Sequence, residues 1–162
     1  MRHAERAEAY AVAYLHVISK ELTPAMISEH LGLEATSTQQ KGEVQECDEY
    51  HWRFTTHRFT LQARHGGERE SFDSAAKLLQ RAIEELLTMI EPVADKLNAL
   101  RPAATTELVC VYGSSAGVEA FKVPENLLRR IATLQLALTV YPVRMEPGQT
   151  MPTPPDSPPT TP

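Results

Sequence analysis

The chain has 162 residues, 42% of them hydrophobic and 23% charged, with 16 Lys and Arg against 21 Asp and Glu for a formal net charge of −5. That length and balance suit one globular domain that needs no metal or disulfide staple. No basic stripe exists, Arg129–Arg130 being the only adjacent basic pair, so nucleic acid is not an expected partner. No apolar run approaches the ~18 residues that a membrane span needs, so no membrane is expected either. The two cysteines, Cys47 and Cys110, show no paired spacing, and Met1-Arg2-His3-Ala4-Glu5-Arg6 has no apolar core of a leader. A reducing, cytoplasmic setting is the expectation.

Residues 1–7 read as a frayed end. Tyr10 to Ile18 is apolar on both faces and rich in β-formers, which predicts a central strand with His16 as a hydrogen-bonded core histidine. Thr23 then caps a helix that Pro24 opens and Gly32 ends, with Ile27 and Leu31 on its buried side. Residues 33–50 lack periodicity and read as a long loop carrying the acidic cluster Glu43, Glu46, Asp48 and Glu49. His51 to Arg64 alternates as β sequence. Trp52 and Phe54 have one parity and Phe59, Leu61 and Ala63 the other, so a bulge or turn near Thr56–Arg58 is expected to bring both sets to the core.

Ser71 to Ile90 carries the strongest helical stripe: Phe72, Ala75, Leu79, Ala82, Ile83, Leu86, Leu87 and Ile90. Pro92 predicts a break, with Val93, Leu97 and Leu100 continuing into a shorter helix that Pro102 closes. Glu107 to Tyr112 is a strand, Gly113 to Gly117 a turn, and Val118 to Phe121 a short edge strand. A helix over Pro124 to Leu134 has Leu127, Leu128, Ile131 and Leu134 on its apolar side. A last strand runs from Leu136 to Val143, with Pro142 suiting an edge. From Glu146 the composition turns Pro- and Thr-rich, which predicts a disordered tail over 146–162 beyond a single domain of 8–145.

Two stretches echo each other. A strand, Leu22-Thr23-Pro24, a helix and Leu31-Gly32-Leu33 match a strand, Lys122-Val123-Pro124, a helix and Leu134-Gln135-Leu136. The echo points to an α+β fold: a mostly antiparallel sheet with helices packed on one face, either ferredoxin-like or a pseudo-twofold two-layer sandwich. The order of Tyr-x-x-Tyr-Leu strand, Leu-Thr-Pro-x-x-Ile-Ser-x-x-Leu-Gly-Leu, Lys41-Gly42-Glu43, Trp52 strand, long helix and final Val-Tyr strand resembles the bacterial family known as domain of unknown function 4279. Ala35-Thr36 departs from it, where a proline is expected after Leu-Gly-Leu. The resemblance implies an architecture and carries no catalytic residues.

Chemistry is sparsely signalled. His51, His57 and His65 share a β-rich stretch but lack a spaced acidic partner, so no metal and no cofactor are expected. Cys47 has acidic neighbours that raise a thiol pKa, the wrong direction for a nucleophile. Ser114 and Ser115 lack a Gly-x-Ser-x-Gly frame, the Gly113–Gly117 turn lacks a phosphate-loop lysine, and Glu84–Glu85 read as a solvated helix face. Binding is better supported. Tyr50, Trp52, Arg53 and Arg58 are residue types enriched at interfaces, and they stand beside Glu43, Glu46, Asp48 and Glu49. The expected function is non-catalytic binding of a partner protein by an accessory or immunity-type domain, the acidic cluster suiting a basic partner. Two alternatives stay open: a small-molecule or metal-dependent enzyme using His51, His57 and His65, and a homodimer joined through the edge near Pro142.

Overall fold

Strand β1 (Ala9–Ser19) is apolar on both faces because it is covered on both. A computed structural model of the chain describes residues 8–47, 50–66 and 74–146, with the backbone alone at Cys47 and Tyr50. The expected frayed start, the Pro-rich segment from Pro147 onward, Phe72 at the head of the long helix, and Asp48 and Glu49 lie outside the described residues.

Around β1 the strands β2 (Ser37–Gln39), β5 (His57–Gly66), β6 (Thr105–Ser114) and β7 (Ala137–Arg144) form a sheet in the order β2-β5-β1-β6-β7. The pairs β1–β5, β1–β6 and β2–β5 are antiparallel, and β6–β7 is parallel. Strands β3 (Val44–Cys47) and β4 (Tyr50–Arg53) make a separate two-stranded sheet. The helices are α1 (Pro24–Leu31), α2 (Ala75–Ile90), α3 (Ala94–Ala99) and α4 (Glu125–Thr133).

The run β1-α1-β2-β5-α2-β6 has the two interleaved strand–helix–strand units of a ferredoxin-like sheet. The expected α+β sheet is thus present, but its two halves are not the ones the sequence echo joined. The long helix is itself the second ferredoxin-like helix, and α4 with β7 is an extension that crosses over to lie parallel to β6. The echo also slips by one residue. Pro24 is the first residue of α1, whereas Pro124 is the cap of α4 and makes no side-chain cap bond.

The described helices lie on one face. There Ala9, Ala11 and Ala13 give α2 a low seat, followed by Leu15 and Val17. Ala75, Leu78, Leu79, Ala82, Ile83, Leu86, Leu87 and Ile90 of α2 are fully buried against it. Each large aliphatic side chain buried this way contributes roughly 1.5–3 kcal/mol. Thr23 caps α1 by accepting from the Met26 N–H, and Gly32 ends it at a left-handed φ of 70°. Ser74 caps α2 in the same way, through the Lys77 N–H. At Pro92 the helix passes through the 3₁₀ turn Glu91–Val93 before α3.

The opposite face has its own cluster of Tyr10, Val12, Tyr14, Val111 and Met145. Tyr10 stands between Gly66 on β5 and Gly113 on β6. Its ring lies so close over Gly113 that a Cβ there would sit 2.9 Å from the ring and 2.6 Å from the Val143 carbonyl. Gly113, expected in a turn, is therefore a strand residue that must lack a side chain.

Three further expectations fail for physical reasons. Val118 to Phe121 forms no strand, because β7 already occupies the β6 edge from Glu107 to Ser114. Those residues pack by side chains instead: the Tyr112 hydroxyl donates to the Glu119 carbonyl at 2.5 Å and Phe121 tilts against the Tyr112 ring. Leu128 is 47% exposed, since Leu127 and Ile131 alone turn α4 to the sheet. The stretch 33–50 contains β2 and β3 and is not simply a loop.

Gly113→Ala should cost roughly 1–3 kcal/mol by overpacking, while Leu128→Ala should stay within about 0.5 kcal/mol of the parent. Urea unfolding of the two variants beside the parent checks both.

Candidate functional site

Strands β2 to β5 are one long hairpin with a fault in the middle. Gln39 pairs with Arg58 on the sheet side, and Val44 pairs with Arg53 on the outer side. Residues 40–43 on one strand and 54–57 on the other lie between these pairs, so the register is unshifted across the fault. The local cause is legible in the residues. The Glu43 N–H donates to the Gln40 carbonyl (3.2 Å), closing a tight turn, with Gly42 at a φ of 89° that only glycine takes readily. Gly42 then donates to the Phe54 carbonyl (2.8 Å) while Phe54 donates to the Glu43 carbonyl (3.0 Å). Two residues facing one is the pattern of a β-bulge.

A bulge or turn near Thr56–Arg58 is expected to bring both sets to the core. The bulge lies on the partner strand, and the Trp52 strand answers it with a bend at Thr55–Thr56 that leaves the two sets apart. Because the register is preserved, Trp52 and Phe54 keep the parity opposite to Phe59, Leu61 and Ala63. The last three are buried in the core, and Trp52 and Phe54 are only half-buried outside both core clusters. The outer part, β3–β4, packs mainly on itself and forms an arm.

The fault is tied to the sheet by three bonds. The Gln39 side-chain amide donates to the Thr56 carbonyl (3.2 Å), the Lys41 N–H to His57 Nδ1 (3.0 Å), and the Lys41 ammonium to the Lys20 carbonyl (3.5 Å). On its flank opens a cleft of about 300 Å³ lined by Thr38, Gln39, Glu43, Val44, Gln45, Phe54 and Arg58. A second cleft, of about 360 Å³, lies beyond Thr56 between Ser19 and Arg101. Arg101 there is spent on the Leu134 and Gln135 carbonyls, at 2.7 and 3.0 Å.

The expected binding residues separate into groups. Glu43 and Arg58 line the cleft. Glu46 and Arg53 are exposed on the arm, where Glu46 stands 3.6 Å from His51. Trp52 is half-buried opposite Gln45, and its indole N–H is buried with no partner among the described residues. Tyr50 contributes its backbone to β4, and Asp48 and Glu49 fall outside the described residues. Gln39, Gln45, Val44 and Phe54 were not anticipated, although the turn-forming Gln40-Lys41-Gly42 marked where a strand could end.

The three histidines are not brought together by shared partners. His51 faces Glu46, His57 accepts from Lys41, and His65 Nε2 lies 2.6 Å from Glu85 of α2. Among the described residues no group of three His, Cys, Asp or Glu side chains is placed to hold a metal ion. Burial pushes the Cys110 thiol up to about 12, as suits a core residue. Among the described residues no helix is long and apolar enough to cross a membrane.

His16 does sit as a bonded, largely covered histidine. Its Nδ1 lies 3.0 Å from Thr60 Oγ1 and its ring stacks on Tyr14 at 5.6 Å. Desolvation lowers its pKa to about 4, with the Arg58 charge adding to the shift. The unfolded chain takes up this proton near 6.5. The stability that His16 confers is therefore whole above pH 6.5 and lost as the pH falls toward 4. The loss is on the order of 2–3 kcal/mol. Denaturant melts from pH 7 to 4 should show this slope, and His16→Gln should flatten it.

The family model described as "Domain of unknown function (DUF4279)" matches residues 8–142. No curated protein and no solved structure matches the chain. The match takes in β1 through most of β7, the bulged arm included, so the chain belongs to the DUF4279 domain family.

Proposed function

We propose that the domain is a non-catalytic binder of a partner protein, of the accessory or immunity type, and that the β3–β4 arm is its contact surface. One observation carries this reading: the arm is held apart from the five-stranded sheet and presents interface chemistry on a two-stranded support. Val44 is 51% exposed at its base, and Trp52 stands half-buried on the paired strand. Tryptophan and arginine anchors of this kind dominate binding energy at interfaces. Exposed Glu43 and Glu46 add negative charge along β3, which favours a basic partner by steering its approach.

Strand pairing also suits the arm. Among the described residues β3 and β4 form a two-stranded sheet of their own, so each is an edge strand. A partner strand can add there while side chains at alternate positions set specificity.

Placing a photo-crosslinking residue at Val44, and separately at Leu128 on α4, tests the reading in the native host. A discrete adduct is expected from position 44 and not from 128, and it should disappear in the double variant E43K/E46K. Equal labelling from both positions, or an adduct indifferent to the charge reversal, contradicts the proposal.

A further inference from the structure

The sheet face turned away from the helices is covered, and the described elements do not account for the cover. Tyr10, Val12, Tyr14 and Val111 form one cluster there, and each is between 2% and 4% exposed. The described helices pack on the other face, and β3 and β4 form a sheet of their own. Neighbours within the sheet give part of the cover: the His16 ring stacks on Tyr14, and Val109 and Val143 flank the cluster. The Tyr10 hydroxyl is nonetheless buried with no partner among the described residues. A buried hydroxyl without a partner is costly, so an acceptor is expected beside the ring.

Met145 shows which part of the chain arrives there. β7 ends at Arg144, beside Ser114, and Ser114 pairs with Ala9 at the start of β1. The next residue, Met145, is 5% exposed and packs into the same cluster as Tyr10 and Tyr14. The chain thus turns onto this face as it leaves β7. The other described ends point elsewhere. Glu8 continues the line of β1: its N–H donates to Ser115 Oγ (2.8 Å) and its carbonyl accepts from the Ser115 N–H (2.9 Å). Gly66 leads on to α2, which packs on the helical face.

Sixteen residues follow Glu146. Extended at about 3.1 Å per residue they reach roughly 50 Å, whereas the four strand spacings from β7 to β2 take about 19 Å. The first nine include Pro147, Pro152, Pro154 and Pro155. Proline-rich segments in the polyproline II form dock on aromatic surfaces, and their carbonyls have no internal hydrogen bond and are free to accept. A segment too poor in apolar residues to fold alone can still dock, because the sheet supplies the apolar surface.

We propose that residues 147–155 cross this face of the sheet as an extended segment, with prolines on Tyr10 and Tyr14 and a main-chain carbonyl accepting from the Tyr10 hydroxyl. The segment is an intramolecular cover. It keeps an aromatic sheet face from becoming a second contact surface, whatever the arm binds.

The full chain serves for the test. Cys47 is replaced by serine, and a spin label is attached at Thr153→Cys or, in a second sample, at His3→Cys; Cys110 is buried and stays unlabelled. The Val12 and Val111 methyl signals should be lost to broadening from position 153, while those of Met26 and Leu128, exposed on α1 and α4, stay sharp. Val12 and Val111 signals as sharp as those of Met26 and Leu128 overturn the proposal. So does broadening as strong from position 3, which makes residues 1–7 the cover. Broadening seen only when a labelled copy is mixed with an unlabelled, isotope-enriched copy assigns the cover to a second molecule and overturns it as well.

Discussion

Everything distinctive about this domain follows from how the β2–β5 hairpin absorbs its own irregularity. An extra residue at Gly42–Glu43 would ordinarily slip the register and exchange the faces of every side chain beyond it. Here the bend at Thr55–Thr56 supplies a compensating residue, so Val44 meets Arg53 as Gln39 meets Arg58. Hydrogen bonding is conserved on both sides of the fault while the direction of the strands changes. The sheet therefore ends at β2, the arm leaves it, and a cleft is left on the flank of the bend. Trp52 and Phe54 are consequences of the same constraint. Preserved parity keeps them out of the helix-facing core that Phe59, Leu61 and Ala63 enter.

The rest of the sheet gives that hairpin a rigid base. β1 is paired along nearly its whole length on both sides and buried on both faces. Small residues decide how closely its neighbours approach. Alanines on one side seat α2, Gly113 on the other leaves room for the Tyr10 ring, and Gly66 lets β5 approach the backbone at Ala9 and Tyr10. His16 and Thr60 continue that second face toward Arg58. The charge that helps to keep His16 neutral thus belongs to a residue that also lines the cleft. The covered face and the cleft therefore share Arg58.

Much of this was legible where a residue has a single physical job. Thr23, Pro24 and Gly32 bounded α1, the stripe from Ala75 to Ile90 defined α2, and Pro92 marked the break before α3. These signals are local, and local geometry answered them. What escaped depended on partners distant in the chain. β2 and β3 show no hydrophobic alternation because β2 is an edge and β3 belongs to the arm, so neither buries one whole face. The parity conflict between Trp52 and Phe59 correctly announced an irregularity, but only the partner strand could show that the bulge lies at Gly42–Glu43. The echo of Pro24 and Pro124 pointed to the right sheet class through the wrong pair of units, since strand order is set by packing of the α2 stripe over β1, β5 and β6. Within the site, Glu43 and Arg58 were visible as charges, whereas Gln39 became significant only once its side chain was buried.

Cross-strand NMR contacts and amide exchange read the unshifted register across the fault directly. Backbone contacts are expected between Val44 and Arg53 and between Gln45 and Trp52, together with slowly exchanging amides at Gly42 and Phe54. Contacts moved by one residue, with Val44 opposite Trp52, would contradict this register, because the aromatic residues of the arm would then belong to the other face.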